Sequence, residues 1–428
     1  MPRVLLLSLI IYLLLLVSLV TRNGDVLALS LVFVVYLSIG LLRSPNNLKL
    51  VFKRSLSSMR VAPDMPVDVS LNVTNLGATL EEAWIDDDLP KNLSIQDGSS
   101  SHHLLIHSGQ STSWSYTVKG KRGNYKLDKV KIKACDPFGL VNRTETFKTA
   151  GNFFVIPPIL RLKNVIIRPR HTRVYSGIVP ARTGGTGIDF LGVREYREGD
   201  PTRWINWRTS ARYPAKMFSN EFEQERVADV GIVLDGRIRT NLFGGENSLF
   251  EYSVLAAATM ADVFLSQGYR VSLLVYGRSL QWTFPGYGKT QRERILRRLA
   301  QAQPGSSQVF DDLDHIPTRL FPAHSQVVLV SPLTTDDLEI LMKLRARGYH
   351  IIIVSPDPVS FEVSLLTKQP ETELAERIAR LQRELMLRRL RRAGIQVINW
   401  DISKPFDQIA QSHLGRRPLW LPTVETNL

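Results

Sequence analysis

Cysteine is almost absent from this chain of 428 residues, in which Cys135 stands alone. A single cysteine excludes an intramolecular disulfide framework and fits a reducing compartment. Acidic residues are also few beside basic ones, 40 against 54, which leaves a formal net charge of +14. This charge favours acidic surfaces such as anionic lipid, nucleic acid or an acidic protein, but it does not choose among them.

Charge is missing altogether from two runs near the N-terminus, residues 4–20 and 26–42. Each run is close to the lower limit of roughly 17 residues for a helix that crosses a bilayer. Residues 1–45 are therefore predicted to form a transmembrane helical hairpin, with the lipid bilayer as a partner. A cleaved secretory signal is the alternative, but the prompt recurrence of the apolar run favours the hairpin.

The distribution of basic residues predicts the orientation of this hairpin. Between Leu42 and the next acid, Asp64, the chain carries only basic charges, whereas the connecting turn balances Arg22 against Asp25. Because cytoplasmic flanks of membrane helices are enriched in lysine and arginine, both ends of the hairpin should face the cytoplasm. We therefore expect a multi-pass protein of the cell membrane with cytoplasmic soluble domains.

A first soluble domain is predicted over residues 56–158 as an antiparallel, immunoglobulin-like β-sandwich. Apolar and polar residues alternate strictly from Val67 to Thr74, and the same period returns at 114–118 and 129–134. This period is typical of half-buried strands. His102, His103 and His107 are three possible metal ligands in this domain, but no carboxylate lies at ligand spacing, so a metal site is disfavoured.

The pattern changes at Val227, and residues 227–428 are predicted to form an α/β domain. Apolar strands alternate with helices, the strands falling at 230–235, 269–276, 326–330, 350–355 and 395–400 and the helices at 248–267, 289–302, 334–346 and 372–392. Such alternation favours a mainly parallel sheet with its sites at the carboxyl ends of the strands. The last helix carries an apolar stripe of Leu374, Ile378, Leu381 and Leu385.

Between these domains, residues 159–226 are predicted to be a basic linker that ends in a distinctive segment, Gly192 to Arg212. This segment resembles the signature of the domain of unknown function 58 family, and its matching residues are Arg194, Tyr196, Gly199, Asp200, Arg203, Trp207, Ser210 and Arg212. Asn206 departs from the pattern, where an aspartate commonly precedes the tryptophan. Alternating guanidinium groups, carboxylates and aromatic rings suit either a buried structural clasp or a surface for partners.

The resemblance implies that the α/β domain is von Willebrand factor A-like, or Rossmann-type. Such domains often hold a divalent cation through Asp-x-Ser-x-Ser, but here Asp235 is followed by Arg237 and Arg239 at the hydroxyl positions. Ser331 in the loop after the fourth strand is followed by proline, which offers no side-chain ligand. Two guanidinium groups repel a cation, so the metal site is interpreted as lost and no cofactor is expected. There are two alternatives. One is a weak metal site rebuilt from Thr334, Asp336 or Asp337, and the other is an arginine that occupies the cation's place beside Asp235.

The resemblance also implies a non-enzymatic assembly factor that works with a MoxR-type AAA ATPase, and we place the partner surface at Arg237, Arg239 and Asp336. A hydrolase is the rival class, but Ser331 lacks a nucleophile-elbow context, and Gly286 to Thr290 lacks the first glycine of a phosphate loop. A membrane-associated nucleic-acid-binding protein is the other alternative. It depends on the acid-free, arginine-rich run of residues 146–188, and binding through it would weaken steeply with salt.

Overall fold

The structure, a computed structural model, describes residues 2–44, 48–136, 138–162, 173–245, 247–307, 310–321, 325–367 and 369–414. It divides into two compact units, Met1–Ile156 and Pro157–Leu428.

Two helices open the first unit, α1 (Pro2–Thr21) and α2 (Gly24–Leu42), as the hairpin prediction requires. The Asn23 side chain accepts a hydrogen bond from the Asp25 amide at 2.9 Å and thereby caps α2. Both helices are long and apolar enough to cross a membrane, and most of their apolar side chains are exposed. So large an exposed apolar surface is unfavourable in water, and the two helices are therefore suited to membrane anchoring.

The rest of the first unit consists of strands: β1 (Leu50–Leu56), β2 (Arg60–Val61), β3 (Val67–Asn75), β4 (Leu80–Asp87), β5 (Leu93–Asp97), β6 (Ser101–Ile106), β7 (Ser111–Gly120), β8 (Gly123–Lys126), β9 (Lys129–Cys135), β10 (Asn142–Lys148) and β11 (Asn152–Val155). They form two antiparallel sheets, β1-β3-β7-β5 and β10-β9-β4-β6, and a small sheet β2-β11-β8. The alternating residues of β3 are buried and exposed in turn, as predicted. Leu71 and Val73 of one sheet share a core with Ile85 and Ile132 of the other, so the two sheets face each other.

A polar triad lies inside this β-rich unit, and it was not predicted from the sequence. Arg54 and Asp87 form a fully buried ion pair, and the Tyr116 hydroxyl donates to the same carboxylate at 2.5 Å. Burial raises the pKa of Asp87 although the Tyr116 hydrogen bond and the Arg54 charge both act to lower it. Burial also raises the pKa of Tyr116, so its hydroxyl stays a donor at neutral pH.

The second unit begins with a long antiparallel ribbon of β12 (Arg173–Glu195) and β13 (Phe218–Val227), joined by a segment that contains the short helix α3 (Trp207–Ser210). Within the predicted linker of 159–226, residues 173–195 and 218–226 are therefore strands rather than linker. Several register shifts interrupt the ribbon, so its strands lack the clean two-residue period by which a strand is recognised.

A single mixed sheet follows, built from β14 (Asp229–Asp235), β17 (Arg270–Tyr276), β18 (Gln281–Gly286), β19 (Gln326–Val330), β20 (His350–Pro356) and β21 (Gln396–Trp400), with a minor pair β15 (Phe243–Gly244) and β16 (Asn247–Ser248). Its helices are α4 (Leu249–Ser266), α5 (Gly288–Gln301), α6 (Asp337–Ala346), α7 (Pro358–Leu365), α8 (Pro370–Arg392) and α9 (Phe406–Leu414). The predicted strands and helices are all present. The edge strand β18 and the helices α7 and α9 are additional to the prediction.

The strand order is β18-β17-β14-β19-β20-β21, and every pair is parallel except β17 with β18. The order reverses between β14 and β19. After β14 the chain adds β17 and β18 on one side of it, and then β19, β20 and β21 on the other side. Open α/β sheets bind ligands in the crevice at such a reversal, outside the carboxyl ends of the strands. Helix α4 is apolar enough to cross a membrane, but 72% of it is buried, so its composition is that of a core helix.

Candidate functional site at the ends of β14 and β19

The crevice at the reversal is lined by the residues that end or follow the two central strands. Asp235 is the last residue of β14, and Ser331 comes directly after β19. The Ser331 hydroxyl donates to Asp235 Oδ2 at 2.6 Å, and both residues are buried. The structure thus brings together two residues of the predicted degenerate metal site.

Arg237 fills this crevice and is only 1% exposed. Its Nε and Nη2 donate to the two oxygens of Asp235 at 2.9 and 2.8 Å, and its Nη1 and Nη2 donate to the two oxygens of Asp337 at 2.9 Å each. Nη1 also reaches the Asp311 carbonyl oxygen at 3.2 Å. Arg237 therefore lies between two carboxylates as a bridging cation, which is the arrangement that the alternative of an arginine beside Asp235 described.

Asp337 begins α6 and collects further donors. The amide and hydroxyl of Thr334 donate to Asp337 Oδ2 at 2.8 and 3.0 Å. A carboxylate at a helix N-terminus is also favoured by the helix dipole. Thr334 and Asp337 are thus committed to the arginine cluster, whereas Asp336 has a side chain that is 75% exposed.

Electrostatics fix the charge state of this cluster. Burial by itself would lower the pKa of Arg237, but the hydrogen bonds and charges of Asp235 and Asp337 outweigh it and raise the pKa above its ordinary value. Arg237 is therefore positively charged at any physiological pH. Its five-donor fork meets two carboxylates at hydrogen-bonding distance, a geometry that lysine cannot reproduce.

The cluster also explains why a cation would have to displace a side chain to bind here. Hard cations such as Mg²⁺ and Ca²⁺ need carboxylate oxygens at roughly 2.0–2.6 Å. In this structure both Asp235 oxygens and both Asp337 oxygens already accept hydrogen bonds from the guanidinium group of Arg237. Among the described residues, no group of three or more His, Cys, Asp or Glu is placed to hold a metal ion.

The burial of Arg237 corrects one predicted role, because a side chain without exposed surface cannot form part of a partner surface. Arg239 and Asp336 do lie at the rim. Arg239 donates to Asp312 at 2.7 Å and lies 3.7 Å from Asp336 and 4.0 Å from Asp311. Three well-exposed carboxylates thus surround one half-buried guanidinium. Acidic side chains therefore predominate around Arg239 at this rim.

Within the α/β unit a second buried arginine, Arg383 of α8, was not predicted from the sequence. It forms an ion pair with Asp357 at 2.9 Å and donates to the Pro332 carbonyl oxygen at 2.9 Å and the Ser355 hydroxyl at 3.0 Å. Burial lowers the pKa of Arg383 to about 10, although Asp357 opposes the shift. The sequence does not distinguish Arg383 as buried, because it lies in an arginine-rich helix whose neighbouring arginines are exposed.

Arg383 also holds a strained loop. Leu333 has φ at +65°, a left-handed conformation that costs a non-glycine residue about 1–2 kcal/mol. The hydrogen bond from Arg383 to Pro332 and the one from the Leu333 amide to the Ser331 hydroxyl, at 3.1 Å, fix this conformation. The loop of residues 331–334 is thus supported by both buried arginines, by Arg383 directly and by Arg237 through Asp235 and Asp337.

The signature segment forms the turn that joins β12 to β13, and its inner part is a charged clasp. Arg194 donates to both oxygens of Asp200 at 2.8 and 2.7 Å, and the Asp200 carboxylate also accepts from the Arg197 amide at 3.0 Å. The hydrogen bond from Arg194 is the main cause that lowers the pKa of Asp200. Gly199, with φ at +101°, permits the tight turn. The Tyr196 hydroxyl bonds the Asp200 carbonyl at 3.3 Å.

Asn206, the departure from the family pattern, has a structural role in this turn. Its side-chain oxygen accepts from the Thr209 amide at 2.9 Å, which caps α3, and its amide donates to Asn220 at 2.8 Å. Nearby, the Ser210 hydroxyl accepts from the Phe218 amide at 2.9 Å. These contacts fasten α3 to β13.

The outer part of the signature is exposed. Trp207 is 68% exposed, and Arg203 and Arg212 are exposed as well; directly after the signature, Tyr213 is 58% and Met217 45% exposed. Tryptophan, tyrosine and arginine are the residues that most often dominate binding energy at protein interfaces. The signature is therefore both a clasp, at Arg194 and Asp200, and an exposed aromatic surface.

The remaining candidates are dispersed. His102 and His103 pack against Trp114 and Trp84 as ring contacts of β6, and Cys135 is half-buried at the end of β9. Gly286 to Thr290 joins the antiparallel edge strand β18 to α5. Of the arginine-rich run, Arg161 is exposed, whereas Lys163, Arg168 and Arg170 lie outside the described residues.

The chain thus combines two apolar N-terminal helices, a β-rich unit and an α/β unit whose central crevice is closed by an arginine. Residues 192–389 match the family model described as "Protein of unknown function DUF58", which confirms the resemblance over that part of the chain. An uncharacterized protein YeaD of Bacillus subtilis is 24% identical over 317 residues, covering 72% of this chain and 74% of that protein.

Two solved structures show weak likeness. A FixG-related protein from Vibrio parahaemolyticus aligns with 25% of this chain and 95% of its own at 8% identity, with a TM-score of 0.18. A non-cellulosomal cohesin from Archaeoglobus fulgidus covers 25% of this chain and 91% of its own at 15% identity, with a TM-score of 0.17. Scores this low carry no argument about fold or function.

Proposed function

We propose that this protein is a membrane-anchored, non-enzymatic protein-interaction factor whose α/β unit is von Willebrand factor A-like and carries an arginine in the cation's position. The strand order and the convergence of Asp235, Ser331 and Asp337 on one crevice support the fold assignment. The guanidinium of Arg237 supplies the positive charge that a metal supplies in metal-binding relatives, so the unit works as a scaffold without a cofactor.

The observation that carries the proposal is the exposure of Trp207 on a turn that is otherwise rigidly fastened. An indole that is 68% exposed gains no stability from burial, whereas it offers a large apolar contact to a partner. Tyr213 and Met217, on the same segment between β12 and β13, are also exposed, as are Arg203 and Arg212. The resemblance to the family implies a MoxR-type AAA ATPase as the partner.

Enzymatic roles have less support from the site. The Ser331 hydroxyl has no exposed surface, and it donates to the carboxylate of Asp235, which Arg237 already engages, so it is held as a structural donor out of reach of a substrate. Burial raises the pKa of the Cys135 thiol, which disfavours the reactive thiolate form.

The basic residues after the hairpin favour a cytoplasmic location for both soluble units.

The test is a pull-down of the detergent-solubilised chain from its native membrane extract, with and without ATP, followed by mass spectrometry. We expect capture of an AAA ATPase, insensitive to nuclease treatment. The double variant Trp207→Ala, Tyr213→Ala should lose that capture. Trp84→Ala is the matched control, because Trp84 is 52% exposed but lies in the β-rich unit.

A further variant tests the acidic rim, where Asp336 stays a candidate contact. Charge reversal at an interface costs several kcal/mol, whereas at a solvated surface it costs little. Asp336→Lys should weaken capture if the partner contacts the rim. Undiminished capture by the folded Trp207→Ala, Tyr213→Ala protein would contradict the proposed surface, and capture abolished by nuclease would favour the nucleic-acid alternative.

A further inference from the structure

Helix α8 has an apolar row on the side that faces away from the sheet. Its inner face buries Arg383, Leu387 and Leu390. The row on the outer side consists of the four residues of the predicted stripe, which are 50–62% exposed: Leu374, Ile378, Leu381 and Leu385. The stripe predicted from the sequence is therefore present, but it does not pack on the core of its own unit.

The spacing of the row identifies the type of surface that it can meet. Steps of four, three and four residues place the side chains at alternating d and a positions of a heptad repeat. Charged or polar residues flank the row at the e and g positions, namely Arg377, Gln382 and Glu384. So narrow a seam fits one facing helix, whereas a helix that lies on a lipid surface needs a broad apolar face.

The charges of α8 are divided between its two halves. Glu371, Glu373 and Glu376 lie in the first half, and the second half ends in Arg388, Arg389, Arg391 and Arg392. Glu371 and Arg388 continue the seam at its two ends, one heptad step beyond Leu374 and Leu385. The helix is therefore complementary to a copy of itself that runs in the opposite direction.

We propose that α8 is a homodimerisation helix, and that a second copy of this chain covers its apolar row as an antiparallel partner. The twofold axis passes between Ile378 and Leu381, so that each of these residues faces the other in the second copy, and Leu374 faces Leu385. Glu371 then lies opposite Arg388. Symmetry repeats every contact, as an isologous interface requires.

Ion pairs beside the seam favour the same direction. In the antiparallel arrangement Arg377 approaches Glu384 of the second copy, twice per dimer. In a parallel arrangement Glu371 would face Glu371 and Arg388 would face Arg388, and such like-charge contacts are unfavourable. Charge thus selects both the partner and its orientation.

Self-association of the detergent-solubilised full chain tests the proposal. Sedimentation velocity over a dilution series should show a monomer–dimer equilibrium for the wild type. Leu381→Glu should raise the dissociation constant about tenfold or more, because two carboxylates enter one apolar seam. Leu105→Glu is the matched control, because Leu105 is 51% exposed on β6. This variant should dimerise like the wild type. A monomeric wild type, or a dimer that survives Leu381→Glu, would overturn the proposal.

Cross-linking tests the orientation in a Cys135→Ser background. Leu374→Cys alone should give no dimer with a short bismaleimide, because the two copies of residue 374 lie roughly 16 Å apart along the helix axis at 1.5 Å per residue. A mixture of Leu374→Cys and Leu385→Cys chains should cross-link efficiently. Cross-linking of Leu374→Cys with itself, or none in the mixture, would contradict the antiparallel dimer. Both substitutions replace exposed side chains, and unchanged thermal melts would confirm that the variants fold.

Discussion

Arg237 donates a hydrogen bond to each carboxylate oxygen of Asp337, a residue 100 positions later in the chain, at 2.9 Å each. The same guanidinium holds Asp235 at the end of β14. One side chain therefore connects the loop after the first parallel strand to the start of α6, across the crevice where α/β sheets of this topology place their sites.

Removing Arg237 should destabilise the α/β unit severely. Arg237→Met leaves two buried carboxylates without their cation, and breaking a buried pair in this way costs about 3–5 kcal/mol. Arg239→Met is the control from the same loop, because Arg239 is partly exposed and its loss should cost about 1 kcal/mol or less. Denaturant titrations followed by tryptophan fluorescence measure both changes. Equal losses for the two variants would contradict the bridging role of Arg237.

The two buried arginines should be coupled, because both support the loop of residues 331–334. We expect the free energy of unfolding lost by the double variant Arg237→Met, Arg383→Met to differ from the sum of the single losses by about 0.5 kcal/mol or more. Arg292, whose partner is Asp262, lies on α5, and Arg292→Ala paired with Arg237→Met should be additive. If the losses of unfolding free energy are additive for both pairs of substitutions, the loop does not couple Arg237 to Arg383.

Replacing Trp207 should leave stability almost unchanged. An indole that is 68% exposed contributes little to the core, so Trp207→Ala should shift the free energy of unfolding by less than about 0.5 kcal/mol. Arg194→Ala, which removes the clasp to Asp200, should cost more. Thermal melts compare the two variants, and a large loss for Trp207→Ala would reassign this residue to the clasp.

Both ends of the hairpin should lie in the cytoplasm. A reporter that is active only in the cytoplasm should work when fused after Leu428, and one that is active only after export should work when inserted at the turn near Asn23. The opposite pattern would place the soluble units outside and would remove a cytoplasmic ATPase as partner.

The sequence allowed prediction of those features that depend on local periodicity. The strand that ends at Asp235 and the one before Ser331 were recognised from their apolar runs, and parallel packing then brings their ends together. Asp337 was placed in a helix, but its pairing with Arg237 depends on side-chain direction across the crevice. Arg383 gave no local signal, because burial of one arginine among several is decided by tertiary packing.

Exposure was harder to predict than secondary structure. The stripe of α8 has the period of a core-facing helix, yet its residues lie on the solvent side. Likewise the signature suited either a buried clasp or a surface for partners, and the contacts of Arg194 and Asn206 fix the backbone while Trp207 stays exposed. Sequence periodicity predicts that one face of a helix is apolar, but it does not predict which surface covers that face.

The thermal melt of the detergent-solubilised chain in millimolar Mn²⁺ or Mg²⁺ tests the central claim, that Arg237 takes the place of a cation. A ligand that binds only the folded state must stabilise it, by about 2.7 kcal/mol at a hundred times its dissociation constant. We expect no shift for the wild type and a clear rise for Arg237→Ser, which frees Asp235, Ser331 and Asp337 for the metal. A rise in the wild type that Asp235→Ala abolishes would contradict the account.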